Sequence, residues 1–92
     1  MVVNMELEEA RKNIDKIDNE MRTLFIKRLE EVNKVIRYKK EHNLPILDAS
    51  REKEVIEKNA SKVEEKYYRY YVEFLKSIMN ISKDYQKDVK DN

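Results

Sequence analysis

The sequence predicts an all-α chain, arranged as a long helix, a short helix and a long helix, on three observations. It has no glycine and a single proline, so nothing punctuates it strongly outside one stretch around Pro45. Apolar residues recur three and four positions apart on both sides of that stretch, the spacing of one helical face. Charged residues make up 42% of the chain against 40% hydrophobic, a balance that suits surface-rich helices rather than sheets or disorder. A length of 92 residues fits one domain over 1–92. A thin layer of such helices buries too little apolar surface alone, so pairing with another chain is expected.

The first helix is expected from about Met5 to His42, with residues 1–4 as an N-terminal arm. Written as heptads, Leu7, Ile14, Met21 and Val35 share one position, and Ala10, Ile17 and Leu24 share its partner. Glu8 with Lys12 and Glu30 with Lys34 add i, i+4 support on the outer face. At about 1.5 Å per residue the helix is on the order of 55 Å long, more than the width of a globule of this size. It must either project from its own core or be covered by a partner. The string HNLPIL stops it: Asn43 suits a left-handed cap and Pro45 forbids continuation. Asp48 and Ser50 then offer oxygens to the first N–H groups of a short helix ending between Asn59 and Val63, whose apolar positions are Val55, Ile56 and Ala60. A third helix follows from about Glu64 to Asp88. Its broad face carries Tyr67, Tyr71, Phe74, Leu75, Ile78, Met79, Ile81 and Tyr85, continued in polar form by Ser82 and Gln86. The last residues, 89–92, are expected to fray.

Two cations break the apolar stripe of the first helix. Arg28 falls in the heptad series of Leu7, and Lys39 lies 11 residues further on, three turns plus roughly 20°, so both point the same way. A cationic pocket within a helical bundle would welcome an anion. Each cation also has a plainer explanation. A buried Arg28 can fix helix register, and Lys39 near a helix end can snorkel to water and favour the negative end of the dipole. Arg11, on the flank of the stripe, reads from periodicity as a solvated edge residue. Asp48, Arg51 and Glu52 read as a capping aspartate followed by first-turn charges, and Ser82 with Gln86 as satisfied interior polar groups. The tyrosines of KYYRYY read as core and interface residues with a polar tip, base stacking being a minor option.

Several function classes fall away. With 20 Lys plus Arg against 19 Asp plus Glu the net charge is +1, which gives no field to hold nucleic acid. There is no Cys, so no disulfide, Cys-ligated zinc or thiol nucleophile is available, and the one His, His42, leaves no His-pair metal site. The opening MVVNMELEEAR lacks the basic start and apolar run of a signal peptide, and no segment approaches a membrane span of 18 apolar residues. A soluble, cytoplasmic chain without metal is the expectation.

Taken together, Arg11, Arg28, Lys39, Asp48, Arg51, Glu52, Ser82 and Gln86, with the strings IDKID, KKEHNLPILDASRE and ISKDYQ, resemble the all-helical class of chorismate mutases. The likeness runs from about Leu7 to Gln86, and spacings of 17, 11, 9 and 3 residues from Arg11 to Arg51 agree with the family pattern. The Gly-free connection after the second helix and the MVVN arm depart from it. The resemblance implies an isomerase that rearranges chorismate to prephenate in phenylalanine and tyrosine biosynthesis. It implies no cofactor, and an interlocked helical-bundle homodimer with two shared sites. It implies that Arg11 and Arg28 each hold one substrate carboxylate, that Lys39 bonds a carboxylate and the ether oxygen, and that Gln86 donates to that oxygen. Asp48 and Glu52 are then expected at the ring hydroxyl, with Arg51 and Ser82 as further polar contacts and Val35, Val55 and Met79 walling the ring. Arg11 and Lys39 are 28 residues apart on one helix, about 42 Å, so if both serve one site Arg11 must come from a second, antiparallel chain. Two other expectations stand beside this one: isochorismate pyruvate lyase activity on the same fold, and a non-catalytic helical dimerisation or scaffold module.

Overall fold

The computed structural model describes residues 2–91, with side chains over 5–90. The order is α1 (Val2–Glu41), α2 (Ala49–Ala60) and α3 (Glu65–Asp91), the long, short and long helices that the sequence predicts. Both long helices extend further than expected. α1 begins at Val2, within the stretch expected as an arm, and α3 is assigned through Asp91. Met1 and Asn92 lie outside the described residues. No breaker stands near either terminus, so each helix keeps adding one hydrogen bond per residue.

The chain divides into two units, one ending at Glu31 and the next beginning at Val32. Among the described residues the first holds helix alone. From Met5 to Lys27 its described side chains are exposed, including the stripe residues Leu7, Ile14, Ile17, Met21 and Leu24. Arg28 and Leu29 are half-buried.

The second unit contains the last turns of α1, then α2 and α3. Its core is Ile36, Ala60, Leu75 and Met79, with Ser82 and Gln86 buried beside them. Local chemistry sets its bends. Asn43 takes a left-handed φ of 53°, where Asn is tolerated better than most residues. Leu44 N–H donates to the Lys39 carbonyl at 2.8 Å and Asn43 N–H to that of Lys40 at 3.4 Å, the paired closure of a Schellman cap. Of the two candidate caps for α2, Asp48 serves: its Oδ1 accepts from Arg51 N–H at 3.0 Å, while Ser50 lies within the helix. Close backbone packing joins α2 to α3. The last turns of α1 meet α3 through side chains, with Tyr85 Oη donating to Asn33 Oδ1 at 2.9 Å.

The expected face of α3 is corrected in part. Leu75 and Met79 are buried and Tyr71, Ile78 and Tyr85 half-buried, but Tyr67, Phe74 and Ile81 are exposed in the single chain. Tyr68 and Tyr70 are exposed as well, so the tyrosine cluster supplies little to this core.

Candidate active site

Lys39 and Gln86 meet within the second unit. The helix of α1 carries Lys39 to its last turn, and the Schellman closure turns the chain back so that the loop beyond Pro45 passes the ammonium. Lys39 Nζ donates to the Ile46 carbonyl at 2.6 Å and to Gln86 Oε1 at 3.0 Å. Lys39 is half-buried and Gln86 is 7% exposed. An ammonium only donates, so the Gln86 amide must turn its oxygen to Lys39. Its NH₂ then faces away from Lys39 as a donor, and Lys39 keeps a third proton beyond the two it has placed. Lys39 thus ties the end of α1 to the following loop and to α3 rather than reaching out into water.

Other expected residues are engaged in various ways. Ser82 is buried, and its Oγ donates to the Ile78 carbonyl at 3.0 Å, one turn back along α3. Glu52, at the first turn of α2, faces α3, where Lys83 Nζ lies 2.9 Å from its Oε1. A cavity of about 230 Å³ lies along α2 and α3, lined by Glu52, Ile56, Lys76, Met79 and Asn80. Two expected residues, Glu52 and Met79, therefore share one cavity wall. Asp48 is exposed, and its Oδ1 caps α2. Arg51 turns its guanidinium to Glu54 at 2.7 Å, a surface pair with both side chains mostly exposed. Val55 is half-buried and Val35 is exposed. Arg11 is exposed and Arg28 half-buried in the first unit.

Two contributors were not foreseen. The Ile46 carbonyl is a backbone group in a loop, invisible to residue type. Lys83 is one of many lysines in the chain and, about 100° round the helix from Ser82, had no distinguishing signal; only the packing of α2 on α3 reveals its partner. Among the described residues no group of three or more His, Cys, Asp or Glu side chains is placed to hold a metal ion, and no helix is long and apolar enough to cross a membrane.

An all-helical chain whose core admits a lysine-bonded glutamine and a buried serine defines a class: a helical protein with a polar site set among its helices. Residues 10–87 match the sequence profile of the family described as chorismate mutase type II. The chain belongs to this family, an all-helical family of isomerases. No curated protein and no solved structure matches it significantly.

Proposed function

We propose that this chain converts chorismate to prephenate, an intramolecular [3,3] shift in which an ether C–O bond breaks as a C–C bond forms, in the route to phenylalanine and tyrosine. The observation that carries the proposal is the Lys39–Gln86 pair. The rearrangement needs no nucleophile; it needs a compact substrate conformer and donors where negative charge grows on the ether oxygen. A Lys39 proton and the Gln86 NH₂ supply two donors from neighbouring atoms, already oriented by the bond between them. Glu52, with Asp48, engages the ring hydroxyl, Met79 and Val55 wall the ring with Val35, and Arg51 and Ser82 provide further polar contacts.

Arg11 and Arg28 keep the parts that the resemblance gives them, one substrate carboxylate each, because the planar guanidinium fork matches a carboxylate. A homodimer with Arg11 donated across chains belongs to the same proposal. It is supported by the exposure of Leu7, Ile14, Ile17, Met21 and Leu24, an apolar stripe too long for one chain to leave in water. A cytoplasmic location is part of this reading.

The test is incubation with chorismate and, separately, isochorismate, following loss of the enolpyruvyl absorbance and identifying the product. Prephenate from chorismate is expected, with Lys39→Ala lowering kcat about 10²–10³-fold, the usual effect of losing one such donor. Pyruvate released from isochorismate with chorismate untouched would replace this reading by the lyase.

A further inference from the structure

We infer that Lys83 is a positioning residue for Glu52 and thereby sets preference for a ligand that carries a ring hydroxyl. This rests on the proposed function, in which Glu52 meets that hydroxyl. The pair has the geometry of a built feature. Lys83 Nζ lies 2.9 Å from Glu52 Oε1, the side chains are 27% and 28% exposed, and the bond joins α3 to α2. Arg51–Glu54 and Lys53–Glu57 lie within one helix and are mostly exposed, and such pairs hold little in place.

Two physical consequences follow at the cavity that Glu52 shares with Met79. The substrate is a dianion, and an uncompensated carboxylate beside it would repel it; the Lys83 ammonium cancels that charge. The ammonium also occupies Oε1, which fixes the carboxylate plane and leaves Oε2 to accept from a ligand O–H. A carboxylate acceptor held in this way discriminates strongly between a hydroxyl and its absence, because hydrogen bonds to charged groups exceed neutral ones. Lys83 touches no reacting atom in this arrangement; it acts through Glu52.

The experiment measures, by calorimetry, the affinities of two bicyclic ether dicarboxylates shaped like the transition state, one with the ring hydroxyl and one without. Wild type is expected to favour the hydroxylated compound about tenfold or more. Lys83→Met should cut that ratio below about threefold and raise KM for chorismate more than it lowers kcat. Lys83→Arg should restore the ratio. A purely structural Lys83 would weaken both compounds alike and leave the ratio intact, and that result overturns the inference. If Lys83→Met does not fold, Lys83→Gln is judged by the same ratio. A wild-type protein that binds neither compound and leaves chorismate unchanged refutes the proposed function itself. A wild-type protein active on chorismate whose ratio ignores Lys83 refutes only the positioning role.

Discussion

Replacing Gln86 with glutamate changes one NH₂ for one oxygen at a buried position, so it isolates the donor proposed to serve the ether oxygen. At pH 7.5 the new carboxylate would pair with Lys39 and donate nothing. Its titration follows from two opposing effects. At the observed 3.0 Å and an effective dielectric of about 20, attraction to the ammonium is about 5.5 kcal/mol, or about four pKa units downward. Burial at 7% exposure pushes upward by as much as roughly 3–5 units. The two oppose each other, so the carboxyl is ionised and paired with Lys39 at pH 7.5, and the protonated, donating form grows as pH falls toward 5. Losing the donor should lower kcat about 10²–10³-fold at pH 7.5, equal to about 2.7–4 kcal/mol of barrier. Activity should climb steadily as pH falls to 5. Wild type, whose amide donates at every pH, should stay nearly flat over the same range. The assay is kcat from chorismate absorbance at fixed ionic strength, in half-unit steps from pH 5 to 8.5. A Gln86→Glu enzyme that keeps more than a third of wild-type kcat at pH 7.5, or is equally impaired at pH 5, refutes the donor role.

Arg11→Ala and Lys39→Ala should each be nearly inactive as pure proteins. Unfolded and refolded together they should regain about a quarter of wild-type activity, because half the dimers are mixed and each mixed dimer holds one intact site of two. No recovery would sink the cross-chain role of Arg11. Ile17→Asp with Leu24→Asp places charges on the exposed stripe of α1 and should yield monomers by sedimentation, with activity lost at micromolar protein; an active monomer would refute the shared site. Asp48→Ala removes the α2 cap and should cost about 1 kcal/mol, lowering Tm by about 4–8 °C, whereas Asp48→Asn keeps a capping oxygen and should hold Tm. An unchanged Tm for Asp48→Ala would remove Asp48 from its observed structural role.

Punctuation was legible because its chemistry is local. Asn43 and Pro45 end one helix and Asp48 starts the next with groups that lie within a few residues of the backbone atoms they serve. The helical stripe was legible too, since periodicity reports which residues share a face. What covers that face is another matter. Leu7, Ile14 and Leu24 carry the pattern of buried residues and are exposed, because sequence periodicity does not say whether the covering surface comes from the same chain. Tyr67 and Phe74 fail as core residues for the same reason. The Glu52–Lys83 bond depends on how α2 and α3 pack, and the Lys39 bond to Ile46 on a loop carbonyl, so neither is encoded in a spacing.

Ser82 and Gln86 sit one turn apart on α3 and are buried alike, yet they do not carry equal weight for the site. Ser82 donates back to Ile78, the usual way a helix absorbs a buried hydroxyl, and that bond would form with no substrate at all. Gln86 uses its oxygen on Lys39, which directs its two N–H groups elsewhere. A leucine at that position would remove the acceptor that the half-buried Lys39 ammonium uses, so the amide oxygen also serves the fold, while its NH₂ is not needed for that bond. Lys39 places one proton on the Ile46 carbonyl and a second on Gln86, which leaves a third. In the proposed function the pair then offers two donors to the substrate, one N–H from each residue. Under the proposed function the chemical burden falls on Lys39 and Gln86, and Ser82→Ala is expected to lower kcat less than Lys39→Ala or Gln86→Ala.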